Sequence, residues 1–287
     1  MAEPVGIVGL GLVGSALAER FSAAGLQVFG FDLNADLHRA LEAIGGQPAG
    51  SASEIASHCK RIVFSLPTSD DVIAVLEEIA GELEPDNLIL DTTTGEPDRM
   101  AAIASRLAER GVQYVDATIV GSSAQVRTGD AVVIAGGDAA AFEQARPLVE
   151  AFAKTAFHVG PSGSGARMKL VVNLVLGLNR AVLAEGLSFA ERCGIDRELA
   201  LEVLRAGTAY SKVMDTKGTK MLSGDFEPEA RLSQHLKDVR LILAEAERAG
   251  ALVPLSKMHR QLLEQAEGAG LGEKDNSAII EVFREAL

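Results

Sequence analysis

Short apolar runs and stretches of helical spacing take turns along the first half of the chain. Val5–Val8, Gln27–Phe31, Arg61–Ser65, Asn87–Asp91, Gln113–Val115, Ala131–Ala135 and Ala156–Val159 read as strands, since each is a short apolar run flanked by turn or helical signals. Ser15–Ala24, Asp70–Ala80 and Pro97–Glu109 carry helical spacing between them. That alternation predicts an α/β fold with a doubly wound, mostly parallel sheet. After Pro161-Ser-Gly-Ser-Gly165 the strand signals stop. Helical patterns then fill Ala166–Arg192, Arg197–Ala206, Lys212–Met221, Ser233–Ala249, Ser256–Ala266 and Asn276–Leu287. The pattern therefore divides the chain into a sheet domain, residues 1–162, and an all-α domain, residues 163–287, joined by a long interdomain helix.

That helix opens at the glycine-rich turn Gly163-Ser-Gly-Ala-Arg-Met-Lys-Leu-Val-Val-Asn173. From Leu170 to Asn179 it carries no charge and is apolar on nearly every side, which predicts burial all round. Arg180 interrupts it too soon for a membrane span of about 20 apolar residues. Lys169 and Asn173 stand four apart and share one face. A lysine beside a buried asparagine at the head of such a helix suits proton transfer, because a lysine pKa moves readily with its surroundings. The plain alternative is a lysine reaching solvent from the first turn.

The first strand runs into Gly9-Leu10-Gly11-Leu12-Val13-Gly14, a helix follows, and the second strand ends at Asp32, 18 residues after Gly14. Strand, glycine turn, helix, strand and acid in that order make a dinucleotide-binding unit. The first glycine permits the tight turn, the second lets a pyrophosphate approach backbone N–H groups, and the third lets helix and strand pack closely. The acid at the end of the second strand can accept hydrogen bonds from ribose hydroxyls. No arginine lies in Leu33-Asn-Ala-Asp36 to receive a 2′-phosphate, so the expected cofactor is NAD. Leu66-Pro67 and Thr92-Thr-Thr-Gly95 follow two further strand ends, where such sheets hold their ligands.

Composition narrows the field. The 287 residues carry a net charge of −13, which argues against nucleic acid as a partner and leaves an anionic ligand to be held by local groups. Cys59 and Cys193 are far apart and read as free buried thiols in a reducing compartment. The five histidines form no metal motif, so no metal is expected. With a strand starting at Pro4-Val5 and no 18-residue apolar run outside the long helix, a soluble, cytoplasmic protein is expected.

On these residues the chain resembles the β-hydroxyacid dehydrogenase family, the group of 3-hydroxyisobutyrate dehydrogenase and tartronate semialdehyde reductase. The likeness runs through Gly9–Gly14, Leu66-Pro67, Asp91-Thr-Thr-Thr94, Asp116-Ala-Thr-Ile-Val-Gly121, Gly163–Asn173, Lys237-Asp238 and Gly272-Glu-Lys-Asp-Asn-Ser277. It implies a Rossmann domain followed by an all-helical domain. It implies that Lys169 is the catalytic acid/base, that Asn173 orients substrate, that Leu66, Pro67 and Thr94 line the cofactor, and that Lys237 borders both cofactor and substrate. The substrate carboxylate is implied at Gly121, Ser122 and Ser123. Here Val120 stands where the family often has a serine, and Ala230 where a phenylalanine is expected, so the substrate's identity does not follow.

Hydride transfer from a hydroxyl-bearing carbon needs a group that takes the hydroxyl proton. Burial and the positive charge of an oxidised nicotinamide both disfavour an ammonium, and that charge is gone once the ring is reduced. One lysine can therefore serve both directions. The expected activity is an NAD-dependent 3-hydroxyacid dehydrogenase, or a reductase of the matching semialdehyde. The expected substrate is small and anionic, and the apolar helical half suggests a homo-oligomer, dimer or tetramer. The competing readings are an imine reductase on the same fold and a non-catalytic sensor of NAD(H).

Overall fold

The structure, a computed structural model, describes residues 3–284. It comprises two compact units, the first running to Lys169 and the second from Leu170.

The first unit is built on one eight-stranded sheet of order β3-β2-β1-β4-β5-β6-β7-β8. The strands are β1 (Val5–Val8), β2 (Val28–Phe31), β3 (Gln47–Pro48), β4 (Arg61–Phe64), β5 (Leu88–Asp91), β6 (Gln113–Val120), β7 (Ala131–Gly137) and β8 (Ala153–Gly160). Between them run α1 (Leu12–Ala23), α2 (Asp36–Ala43), α3 (Ala52–His58), α4 (Ser69–Glu78), α5 (Pro97–Ala108), α6 (Ser123–Thr128) and α7 (Ala139–Glu150). All neighbouring strands are parallel except β6 and β7. Central strands are buried on both faces, which explains their unbroken apolar runs. Ile7, Val63 and Leu90 enter one core with Phe21 and Phe152. Their neighbours Val8, Ile62, Phe64 and Ile89 enter the other, with Ile55 and Met100.

Three strands differ from expectation. β6 runs on to Val120 instead of stopping at Val115, because Val115–Val120 pairs with antiparallel β7. Asp116 is thus an interior strand residue, not a strand end. β8 is an edge strand with a largely exposed face, so polar positions hide half its length from an apolar-run reading. β3 is a two-residue edge strand holding Pro48, a position where the missing N–H costs no ladder bond.

The second unit is helical: α8 (Ser164–Arg192, entered from the first unit), α9 (Arg197–Ala206), α10 (Lys212–Ser223), α11 (Leu232–Arg248), α12 (Pro254–Ala266) and α13 (Ile280–Arg284). The expected helix from Asn276 begins as a 3₁₀ turn, Asn276–Ile279, and its last three residues lie outside those described. Leu183, Leu187, Leu201, Met221, Leu236 and Leu263 are among the side chains that fill the core. The boundary between the units falls inside α8, because the opening turns of that helix are bonded to the sheet.

The expectation that α8 is buried all round fails. Val171 and Val175 are each 52% exposed, since helices cover one side of it and leave the other bare. By length and composition α8 could cross a membrane, and 44% of its most apolar window is buried within the protein. Arg180, whose charge interrupts the apolar run, is itself buried. Of the two free cysteines, Cys59 is buried as expected but Cys193 is exposed, just past the end of α8.

Candidate active site

The glycine turn follows β1. Gly9 has φ +95°, and a Cβ there would lie 2.3 Å from the Ser65 carbonyl oxygen; a Cβ on Gly14 would lie 1.9 Å from the Gly9 oxygen. Those two glycines answer to the protein's own packing. Gly11 does not: a Cβ there would meet nothing within 4 Å. Gly11 is the N-cap of α1 and offers no side-chain acceptor to the first turn, whose N–H groups have no partner within the helix. An open cradle of this kind fits a pyrophosphate. Asp32 follows β2, and its carboxylate accepts from the N–H of Leu10 at 2.7 Å and of Asn34 at 2.8 Å. These bonds fix its position beside the turn.

β4 and β5 continue the same edge, since β4 lies next to β1 and β5 next to β4, all parallel. The Leu66 N–H donates to the Thr93 hydroxyl at 3.2 Å, and the Thr92 hydroxyl donates to the Phe64 carbonyl at 2.7 Å. The loops carrying Leu66-Pro67 and Thr92–Thr94 are thereby tied together. Beneath them Asp91 is wholly buried; burial pushes its carboxyl up to about 6 against donors from Thr93 and Tyr114. The Tyr114 hydroxyl donates to it at 2.6 Å.

Asp116 holds the head of α8. Its two carboxylate oxygens accept from the N–H groups of Gly163 and Ala166, each at 2.9 Å. Burial raises its pKa while these backbone donors oppose the rise. A Cβ on Gly165 would lie 2.6 Å from the Asp116 carbonyl oxygen, so only glycine lets the helix descend this close to the strand. One turn on, the Lys169 ammonium donates to the Ile119 carbonyl. Lys169 is half-buried there, against a carbonyl two residues before Gly121.

Ser122 turns out to be a helix cap. Its hydroxyl accepts from the Gln125 N–H, and its own N–H donates to the Gln125 side chain at 3.0 Å. This capping box occupies a backbone donor that the glycine-serine run would otherwise offer to an anion. The Ser122 O–H and the buried Ser123 remain. Arg127, in the last turn of α6, pairs with Glu19 at 3.0 Å.

In the second unit Asn173 is buried, and its Nδ2 donates to Asp238 on α11 at 2.8 Å. Lys237 lies 3.3 Å from the other oxygen of Asp238. Further along, a Cβ on Gly177 would lie 2.4 Å from Nε2 of His235 and 2.6 Å from His259, so this glycine admits two imidazoles against α8. Asp275 takes donors from Lys217 at 2.9 Å and from the Ser277 hydroxyl at 2.7 Å. Burial alone would raise its pKa, but Lys217 and Ser277 outweigh it and hold the carboxyl at about 2. Ala230 donates its N–H to the same carboxylate at 3.3 Å.

With this geometry in hand, the chain can be compared with known proteins. The family profile for the NAD binding domain of 6-phosphogluconate dehydrogenase matches residues 4–160, and the one for the NAD-binding of NADP-dependent 3-hydroxyisobutyrate dehydrogenase matches residues 163–283. The chain belongs to the β-hydroxyacid dehydrogenase family. The 2-(hydroxymethyl)glutarate dehydrogenase of Eubacterium barkeri is 31% identical over 98% of this chain and 95% of its own length. A solved 3-hydroxyisobutyrate dehydrogenase from Salmonella typhimurium superposes with a TM-score of 0.91 at 28% identity, covering 98% of this chain and 99% of that one. An imine reductase from Pseudomonas sp. shares the fold at TM-score 0.68 and 21% identity, covering 98% and 99% of the two chains. Like its relatives, this β-hydroxyacid dehydrogenase is an NAD(P)-dependent oxidoreductase.

Of the residues expected to bind cofactor, the first unit gathers the glycine turn and Asp32 at β1 and β2, and ties the Leu66 loop to the Thr92–Thr94 loop at β4 and β5. It sets Lys169 against β6 as well. The second unit brings Asn173, Lys237 and Asp238 together. Sequence reasoning missed Tyr114, Lys217 and the capping role of Asp116. An acid inside an apolar strand signals a buried partner, which would have flagged Asp116. The pairing of Lys217 with Asp275 spans 58 positions and left no local signal.

Proposed function

We propose that this chain transfers hydride between a nicotinamide and a small 3-hydroxy acid, or the matching semialdehyde, with Lys169 as general acid/base. The observation that carries the reading is the hold on Lys169, whose ammonium is bonded to the Ile119 carbonyl on a helix anchored by Asp116. The nicotinamide, when bound, accepts or supplies the hydride. In oxidation Lys169 takes the proton from the substrate hydroxyl at Nζ; in reduction it returns that proton to the carbonyl oxygen. The Asn173 amide, with Nδ2 given to Asp238, keeps its carbonyl oxygen for the substrate hydroxyl. Gly121, the remaining O–H of Ser122, and Ser123 hold the substrate anion, and Lys237 adds positive charge beside substrate and cofactor. Relatives named for 2-(hydroxymethyl)glutarate and 3-hydroxyisobutyrate support a 3-hydroxy carboxylate.

The cofactor lies over Gly9, Leu10, Gly11, Leu12, Val13 and Gly14, with Leu66, Pro67 and Thr94 along its length. NAD is preferred over NADP because the Asp32 carboxylate would meet a 2′-phosphate as like charge. Equal or better kcat/KM with NADP would remove that preference. Lys169→Ala is expected to lower kcat by on the order of 10²–10⁴ while NADH binding stays near wild type. Near-normal turnover in that variant would move the proton to another group, with Lys237 next in line.

A further inference from the structure

Two neighbouring contacts join α8 to α11. Asn173 and Gly177 stand four apart on α8, and Asp238 and His235 three apart on α11, so each pair shares a face of its helix. Asn173 gives Nδ2 to Asp238 at 2.8 Å, and one turn on Gly177 lies against His235. Numbers rise along one helix as they fall along the other. The helices therefore run antiparallel here, and the two contacts lie roughly 5 Å apart along the axis.

The first contact is polar and belongs to the site, whereas the second is steric. A Cβ on Gly177 would lie 2.4 Å from Nε2 and 2.8 Å from Cε1 of His235, and 2.6 Å from Cε1 of His259. Ordinary contact needs about 3.5–4.0 Å, so a side chain at 177 forces a retreat of about 1 Å. The rings have little room to absorb it. Both are buried, His259 comes from α12, which packs on α11, and the ring centroids are 5.2 Å apart. Burial and the charge of Arg180 hold the His259 pKa at about 4, so at neutral pH it packs as an uncharged ring.

We propose that Gly177, His235 and His259 are positioning residues for the reaction: bare backbone against two imidazole edges sets the separation of α8 and α11 at which the Asn173 amide reaches Asp238. With that bond made, the amide keeps its carbonyl oxygen turned to the substrate hydroxyl. A shift of about 1 Å one turn away takes the bond out of hydrogen-bonding range, which ends near about 3.2 Å, and the amide is free to rotate. The histidines act through Asn173, not on the substrate. The inference rests on the role given to Asn173 under the proposed function.

The test is steady-state oxidation of 3-hydroxyisobutyrate and 2-(hydroxymethyl)glutarate with NAD, well below the melting temperature. Gly177→Ala is expected to lower kcat/KM for the better substrate on the order of 10²-fold, with part of the loss in kcat, the usual cost of a 1 Å misplacement. NADH affinity should stay near wild type. Asn173→Ala should lose a comparable amount, and adding Gly177→Ala to it should cost little more, because both variants remove one shared interaction. A general loss of packing would add in full. His235→Ala in the Gly177→Ala background removes the nearer ring and should recover on the order of tenfold. A folded Gly177→Ala enzyme with wild-type kcat/KM, full additivity with Asn173→Ala, or no recovery with His235→Ala would overturn the proposal. Where Gly177→Ala does not fold, His235→Phe presses a larger ring on Gly177 from α11 and is held to the same loss and the same non-additivity. Wild-type kinetics in Asn173→Ala, or a wild type that oxidises neither acid, would remove the functional reading and the proposal together. Impaired Asn173→Ala beside unimpaired Gly177→Ala would remove the proposal alone.

Discussion

The two units treat buried charge in different ways. In the sheet unit the buried acids are matched by local donors: Asp116 by two backbone N–H groups of the α8 turn, Asp91 by Tyr114 and Thr93. In the helical unit the buried groups are partly orphaned. Asp275 is well supplied, but Nε and Nη1 of Arg180 and Nε2 of His259 have no hydrogen-bond partner among the described residues. The first arrangement is a positioning device, since each bond fixes a strand or helix end that carries a site residue. The second is a core stabilised at longer range, with the Asp275 charge supporting a buried arginine. Acids in the sheet unit thus place strand and helix ends, while in the helical unit Asp275 and Glu229 balance Lys217 and Asp238 balances Lys237.

Removing those carboxylates gives the largest expected effects. Asp275→Ala removes the fully buried partner of Lys217, leaving it only the partly exposed Glu229 at 3.0 Å, and is expected to cost about 3–5 kcal/mol, the usual result of breaking a buried ion pair. Asp116→Ala leaves two backbone N–H groups without acceptors and should cost about 2–4 kcal/mol. The two variants should part in function. Asp116→Ala frees the helix turn that places Lys169, so kcat should fall in whatever fraction remains folded. Urea unfolding followed by steady-state kinetics reads both quantities. Equal stability losses with no change in kcat for Asp116→Ala would dissolve the distinction between positioning and balancing.

Acid should separate the units next. His259 is buried beside Arg180, and burial first, then that charge, bring its pKa from 6.5 down to about 4. Between pH 6.5 and 4 the unfolded imidazole binds a proton that the folded one does not, so the helical unit loses stability as pH falls. Asp275, held at about 2 instead of 3.8, withdraws further support between those values. Asp91 runs the other way. Its folded pKa of about 6 lies above the unfolded 3.8, so the folded form keeps a proton the unfolded form has lost, and this contribution rises as pH falls from 6 to 3.8. Each group contributes on the order of 3 kcal/mol, since every tenfold change in proton affinity is worth about 1.4 kcal/mol. Hydrogen exchange resolved by peptide should therefore show α8–α12 opening more readily at pH 4.5 than at pH 7, with β4–β6 protected as well or better. Parallel loss in both units would refute the contrast.

Much of the sheet unit was legible because its signals are local. Gly9, Gly14 and Asp32 sit at spacings that the turn and the strand dictate, and short apolar runs mark the central strands. The edges were harder: β8 has exposed positions where a buried strand would have apolar ones, and β3 is two residues long. Ser122 shows a subtler limit. The Ser-x-x-Gln pattern of a capping box was readable in Ser122-Ser-Ala-Gln125, yet a hydroxyl can cap a helix or bind a ligand, and only the bond to Gln125 decides. In the helical unit periodicity located the helices but could not say which face of α8 finds a partner, so Val171 and Val175 were wrongly expected in the core. Long-range pairs such as Lys217 with Asp275 and Asn173 with Asp238 depend on how helices meet, which no single segment records.

The sharpest test of the contrast has the smallest expected effect on stability. Arg180 is fully enclosed, and burial brings its pKa down from 12.5 to about 10 against the opposing charge of Asp275. It stays a cation at neutral pH and gives two of its N–H groups no acceptor. Replacing a buried charge of this kind by an apolar side chain of similar length is commonly neutral or stabilising. Arg180→Met is therefore expected to leave stability unchanged or raise it by about 1–2 kcal/mol, whereas Asp275 keeps Lys217 and does not become an orphan. The variant also removes the charge that helps hold His259 neutral, so the His259 pKa should rise. The loss of stability between pH 6.5 and 4 should shrink accordingly. Urea midpoints at pH 7 and pH 4.5 measure both effects on one protein. A fall of about 2 kcal/mol or more at pH 7 would show that Arg180 is supported by contacts as strong as those of Asp116, and the two units would then differ in degree only.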